Sequence, residues 1–185
     1  MIEILDCPFS KEIKDDLTKW FKSEKNNEIP GFALKTEELT EPKTPEIKRL
    51  FDWIESIIPR VAIELARNSY SLFNADFRSN TSNFKIDSYW GLYYNPQSFI
   101  VPHSHFPHAL SFGYYINVPT GSSPFTILQH LKDEMDYYPE EGQLFVFSSS
   151  LLHVVRPTPV AGRTVIAGDI TYPVSYTHLT LPTKA

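Results

Sequence analysis

Tyr89-Trp90-Gly91-Leu92-Tyr93-Tyr94, closed by Asn95-Pro96, is where the chain changes its period. Aromatic side chains suit a pleated, half-buried surface, and a proline lacks the N–H that a ladder needs, so a strand ending at Tyr94 is predicted. From about Asn83 onward the period stays at two. Ala109 to Val118, closed by Pro119-Thr120-Gly121, reads as a second strand. Phe125 to Gln129, Gln143 to Phe147, His153 to Val155 and Thr164 to Tyr172 read as further strands. Upstream the period is helical. Ile13, Leu17, Trp20 and Phe21 share one face after Ser10, which the spacing nominates as N-cap. Asn26 to Pro30 breaks that pattern. Thr44-Pro45 then reads as an N-cap followed by proline at the first helical position. Ile47, Leu50, Phe51, Ile54, Ile58, Val61 and Leu65 form a long apolar stripe, which Pro59 is expected to kink or split. Helices first and short strands afterwards imply a mainly β, α+β architecture: a sandwich or barrel buttressed by helices on one face.

The composition agrees. Of the 185 residues 42% are apolar, enough for one packed interior, and 14% are aromatic, which favours strands. Fifteen prolines against seven glycines suggest short elements with stiff connections. One domain is expected over residues 1–173, mainly helical support over 1–75 and the barrel over 83–173. Residues 174–185 depart from the pattern and read as a non-native or disordered tail. The net charge is −5 without a basic cluster, which excludes a broad nucleic-acid surface. Cys7 is the only cysteine, so no intramolecular disulfide forms and a reducing compartment fits. No membrane-spanning run and no signal peptide are visible, so a soluble, cytoplasmic protein is expected. Its oligomeric state is not legible.

Three of the six histidines lie in Val101-Pro102-His103-Ser104-His105-Phe106-Pro107-His108. Alternate side chains of an extended segment share a face, so His103 and His105 can present two imidazoles to one ion. His108 lies past a proline and its direction is open. His153, after the strand Phe145-Val146-Phe147 and the polar turn Ser148-Ser149-Ser150, is the best third ligand. Two near ligands and one distant leave coordination positions free for substrate or dioxygen. Alone, His-x-His is equally at home in an exposed loop. His130 and the tail residue His178 receive no role. Arg163 follows His153 by ten residues across Pro157, Pro159 and Gly162. A strand, a turn and a return strand of that length bring it near the metal, and its fork suits bidentate binding of a carboxylate. The competing reading is a surface salt bridge. The apolar run Val165 to Ile170 disfavours it, because an unpaired arginine there would be buried at a cost.

His103-Ser104-His105, His153 and Arg163 together resemble the 2-oxoglutarate and Fe(II)-dependent dioxygenases, in particular the small prolyl-hydroxylase-like, phage and bacterial members. Ser111 to Asn117 resembles the family's strand after the first ligands, and Gly142 to Val155 its run into the distal histidine. The likeness covers about Tyr89 to Tyr172. It implies a double-stranded β-helix (jelly-roll, cupin-like) barrel, Fe(II) held by His103, His105 and His153, and 2-oxoglutarate held by Arg163, Tyr115 and Tyr94. It further implies dioxygen as co-reactant and hydroxylation of an unactivated C–H bond of an unidentified substrate. The departure is His105, where most members carry a carboxylate. That difference puts redox tuning and metal identity in question more than fold. Two rivals stand beside this reading. One is a cupin-like metal protein or isomerase that does not use 2-oxoglutarate. The other is a metal-dependent hydrolase using His103, His105 and His108, although Pro107 stands where such a motif needs aspartate. Single aromatics such as Phe106 and Phe112 either shield the site or simply pack the core.

Overall fold

The computed structural model describes residues 2–67, 84–129 and 133–172. Strand β1 (Ile2–Asp6) leads into helix α1 (Ser10–Ser23). Two short strands, β2 (Asn26–Asn27) and β3 (Leu34–Thr36), precede helix α2 (Pro45–Arg67). The remaining strands are β4 (Lys85–Tyr94), β5 (Ile100–His103), β6 (Leu110–Asn117), β7 (Phe125–Gln129), β8 (Asp133–Tyr137), β9 (Gln143–Ser148), β10 (His153–Val155) and β11 (Arg163–Thr171). They form a seven-stranded sheet in the order β1-β9-β6-β11-β4-β3-β2 and a four-stranded sheet in the order β5-β10-β7-β8. All the ladders that build these sheets are antiparallel. This is a double-stranded β-helix with helices packed on one side.

The large sheet is buried on both faces, which is why β6 shows almost no exposed position along its length. One face receives α1 and α2. Ile13, Leu17, Trp20, Leu50, Ile54 and Ile58 pack there against Tyr89, Tyr114, Leu144 and Ile166. Gly91 of β4 lets α1 come this close: a Cβ would lie 2.5 Å from the Phe21 ring. The other face looks toward the small sheet. Trp90, Leu92, Tyr115, Phe145, Phe147 and Val165 meet Phe125, Ile127 and Val155 there.

The expected strands all form, with β4 starting earlier, at Lys85. Several predicted details change. Ser10 is not the N-cap. Phe9 occupies that position without a side-chain cap, and the Glu12 amide donates to the Phe9 carbonyl at 3.0 Å. Ser10 is already helical and packs under Gly142, where a Cβ would lie 2.8 Å from the serine side chain. Thr44 does cap α2, its Oγ1 accepting from the Ile47 amide at 3.2 Å. Pro59 does not split α2, which runs unbroken from Pro45 to Arg67. Pro59 and Glu55 are both only half-buried, so the Glu55 carbonyl that the proline releases stays near water. The N-terminal third also carries β1, β2 and β3. β1 extends the large sheet by pairing with β9, Ile4 opposite Phe145. Two further strands escaped the sequence reading. β5 contains Pro102, which an edge strand tolerates, and β8 is acid-rich and lies at the opposite edge of the small sheet. Among the described residues no helix is long and apolar enough to cross a membrane. His130, His178 and the tail 174–185 lie outside the described residues.

Candidate metal and anion site

The antiparallel pairing of β5 with β10 sets His103 directly opposite His153. Cross-strand partners lie about 4.5–5.5 Å apart at Cβ, so their side chains meet by construction. The two imidazole centroids are 4.3 Å apart. His105 lies just past the end of β5. Its amide donates to the Ser149 carbonyl at 2.8 Å, which anchors the loop. Its ring stacks on Trp90, with centroids 5.6 Å apart and planes 6° from parallel. His103, His105 and His153 thereby offer ligand atoms within 4.8 Å of one another, a cluster that could hold a metal ion.

The second nitrogen of each ring is already engaged. His103 Nδ1 lies 2.8 Å from the Val101 carbonyl, and His153 Nδ1 lies 3.0 Å from the Leu151 carbonyl. A carbonyl only accepts, so each Nδ1 carries the proton and each Nε2 keeps its lone pair. His105 Nδ1 lies 2.9 Å from Asp169 Oδ1 and 3.2 Å from Oδ2. All three rings are thus held in the tautomer that leaves Nε2 to ligate. Burial is the main cause that lowers the pKa of His153, to about 3, and it lowers that of His103 as well. Both are neutral at ordinary pH, the form that binds a metal.

Asp169 went unnoticed in the sequence. It is 5% exposed and also accepts from Ser111 Oγ at 2.7 Å, and Ser111 in turn shares a hydrogen bond with Ser149. Burial pushes its carboxyl upward most strongly. The hydrogen bond from His105, with help from Ser111 and His108, outweighs that and holds it below the usual carboxylate value. A signal was available: Asp169 interrupts the apolar run of β11, and period two puts it on the same face as Arg163. His108 does not join the cluster. Its Nδ1 meets the His105 carbonyl at 3.0 Å, and its Nε2 meets Asp87 at 3.2 Å. The hydrolase reading needed His108 as a ligand, so this arrangement tells against it.

Arg163 opens β11 after Gly162, whose φ of +106° suits glycine and turns the chain into the strand. It is 1% exposed and sits opposite Tyr94 on β4. One terminal nitrogen donates to the Ser123 carbonyl at 2.6 Å, and the other donates to the Tyr115 hydroxyl at 3.4 Å. Its Nε has no partner, and among the described residues no carboxylate pairs with it. The guanidinium also lies 4.9 Å from the Tyr94 ring centroid and 5.1 Å from that of Tyr115. Burial pushes the Tyr115 phenol up to about 12, against the opposing pull of Arg163, and raises Tyr94 as well. Both stay protonated and able to donate. A buried cation with a spare donor and two phenols beside it could hold an anion.

A cavity of about 500 Å³ opens between the sheets, lined by the three histidines, Trp90, Tyr94 and Tyr115 among others. Phe112 turns mainly to the helices, edge-on against Phe51 at 6.1 Å, so its packing role prevails. Phe106 is 77% exposed.

No protein-family profile matches the chain, and no curated protein matches it by sequence. Solved structures do match by shape. An oxidoreductase of the 2OG-Fe(II) oxygenase family from Burkholderia pseudomallei superposes with TM-score 0.67 at 12% identity, over 93% of this chain and 84% of that one. A prolyl-4-hydroxylase from Pseudomonas putida gives TM-score 0.65 at 15% identity, over 93% and 92%. The non-heme alpha ketoglutarate dependent epimerase SnoN from nogalamycin biosynthesis gives 0.62 at 12% identity, over 100% and 86%. At such identities the likeness is one of fold. The chain has the double-stranded β-helix architecture of the 2-oxoglutarate and Fe(II)-dependent oxygenases.

Proposed function

We propose that this protein is a 2-oxoglutarate- and Fe(II)-dependent oxygenase that hydroxylates a C–H bond of a substrate still to be identified. The observation that carries the reading is Arg163: a fully buried guanidinium, lacking a carboxylate partner among the described residues, in the same barrel as three convergent imidazoles. A cupin-like metal protein without an acidic cosubstrate has no use for that cation, and leaving it buried and unpaired is costly.

The donor set fits the metal. Three imidazoles with proton-bearing Nδ1 atoms suit a borderline divalent ion and leave coordination positions open. In this reading His103, His105 and His153 hold Fe(II). Arg163 grips the distal carboxylate of 2-oxoglutarate, the Tyr115 hydroxyl adds a donor and Tyr94 packs against the guanidinium. When bound, Fe(II) with 2-oxoglutarate and dioxygen supplies the oxidising chemistry that protein side chains lack. The chain's own residues orient and exclude water. Phe125 and Phe147 each pack a ring 5.0 Å from that of His153, and keep that side of the site dry. Trp90 fixes His105 and lines the cavity.

The test is anaerobic titration of the protein with Fe(II) and 2-oxoglutarate. A weak visible charge-transfer band is expected only when both are present, and succinate is expected on admitting air with substrate. A band with Fe(II) alone, or none with both, rejects the reading.

A further inference from the structure

We propose that Asp169 is the charge-compensating carboxylate of this metal site, acting through His105 as a positioning residue instead of touching the ion. The inference rests on the metal reading above. Three imidazoles bring no negative charge to a dication in a cavity walled by aromatic rings. The nearest buried anion is Asp169, and its contacts are few. His105 Nδ1 is 2.9 Å from Oδ1, Ser111 Oγ is 2.7 Å from the same oxygen, and His108 Nδ1 is 3.6 Å from Oδ2. Among the described residues no lysine or arginine forms an ion pair with it. A carboxylate buried at 5% exposure with a hydroxyl and two imidazoles is short of positive charge. A metal on the far side of His105 supplies it.

The asymmetry among the three ligands supports this. His103 and His153 donate Nδ1–H to main-chain carbonyls, at 2.8 and 3.0 Å. A carbonyl is sufficient to choose the tautomer. Only His105 donates to a carboxylate, which also pushes electron density into the ring and strengthens Nε2 as a ligand. The pair is rigidly framed. Trp90 stacks on the ring, the Ser149 carbonyl holds the His105 amide, and the Ser149 hydroxyl bonds to Ser111, which in turn bonds to Asp169. β11 sets Asp169 opposite Ser111 of β6 by strand register, so the carboxylate is placed by the sheet itself and not by a loop.

The experiment is titration of metal-free protein with Co(II), followed by calorimetry and by the visible d–d bands, and repeated with Fe(II) under argon. Asp169→Asn keeps the shape and still accepts from His105, but removes the charge. It is expected to weaken metal binding 10- to 100-fold and to shift the Co(II) bands. Asp169→Glu, which keeps the charge, should recover most of the affinity. If Asn fails to fold, Asp169→Ser replaces it as the smaller neutral variant. In a His105→Asp background the ligand carries its own charge, and adding Asp169→Asn should cost less than threefold or improve binding. Wild-type affinity in Asp169→Asn, or the same loss in both backgrounds, overturns the inference. Wild-type protein that binds neither metal at one per chain overturns the metal reading as well, a result that no Asp169 variant could produce.

Discussion

The two faces of the large sheet are built from the same strands and have opposite characters. The face under α1 and α2 is apolar and complete: Leu17, Leu50, Ile54, Ile58 and Leu144 are wholly buried against one another. The face toward the small sheet carries Ser111, Arg163 and Asp169, all buried and all polar, and His153 of β10 is buried across from it. Burying polar groups costs free energy that burying leucine returns, at about 25 cal/mol per Å². The helix-backed face therefore stabilises a barrel whose other face is left chemically unfinished. β11 shows the division within nine residues. Ile166 and Ile170 pack outward, while Arg163 and Asp169 point inward at the two ends of one face, roughly 20 Å apart at about 3.3 Å per residue. Asp169 is already hydrogen-bonded, whereas Arg163 still has a free donor.

The comparison predicts that inward substitutions change binding and leave folding nearly intact, while outward ones do the reverse. The largest effect belongs to His153→Ala, which should abolish binding of one Fe(II) per chain, since two imidazoles rarely retain the ion. Calorimetry showing full affinity in that variant would dissolve the proposed cluster. Next comes Arg163→Ala. Charge-assisted hydrogen bonds are worth about 1.5–3 kcal/mol, and about 1.4 kcal/mol is tenfold, so 2-oxoglutarate should bind roughly 10- to 100-fold more weakly. Arg163→Lys should fall between, because it keeps the charge and loses the fork. Fe(II) affinity should stay unchanged in both; equal cosubstrate affinity in wild type and Arg163→Ala rules the role out.

Gly91→Ala tests the other face. Its methyl group meets Phe21 at 2.5 Å, so overpacking should cost about 1–3 kcal/mol, read as a lower Tm with metal stoichiometry preserved. A variant that melts like wild type would show that α1 is not held this tightly. The smallest effect is Tyr115→Phe, which removes one hydroxyl beside Arg163. A threefold to tenfold loss of 2-oxoglutarate affinity is expected, matching about 0.5–1.5 kcal/mol for a neutral hydrogen bond. A loss as large as that of Arg163→Ala would mean that the phenol and the guanidinium act as one unit.

Much of this was legible in the chain. The change of period after Asn83, the Thr44-Pro45 cap and the apolar stripe of α2 are local properties, encoded by spacing within one turn or one pleat. The His103-Ser104-His105 pair, distant His153 and Arg163 ten residues later were visible as a pattern because each of these residues lies near a strand end. Other features depended on partners far away in sequence. The pairing of β5 with β10 sets His103 opposite His153, 50 residues on. The Asp169 contact to His105 spans 64 residues, and the Tyr115 contact to Arg163 spans 48. β1 and β3 become strands because the large sheet has edges for them to join, and their own short sequences give no period to read. By itself the sequence determined which residue types alternate and which can ligate, because these are properties of neighbours. Only the tertiary structure decided which ring nitrogen stays free, which carboxylate stands behind it and which cation lacks a counterion, because hydrogen-bond partnership and burial belong to the assembled sheets.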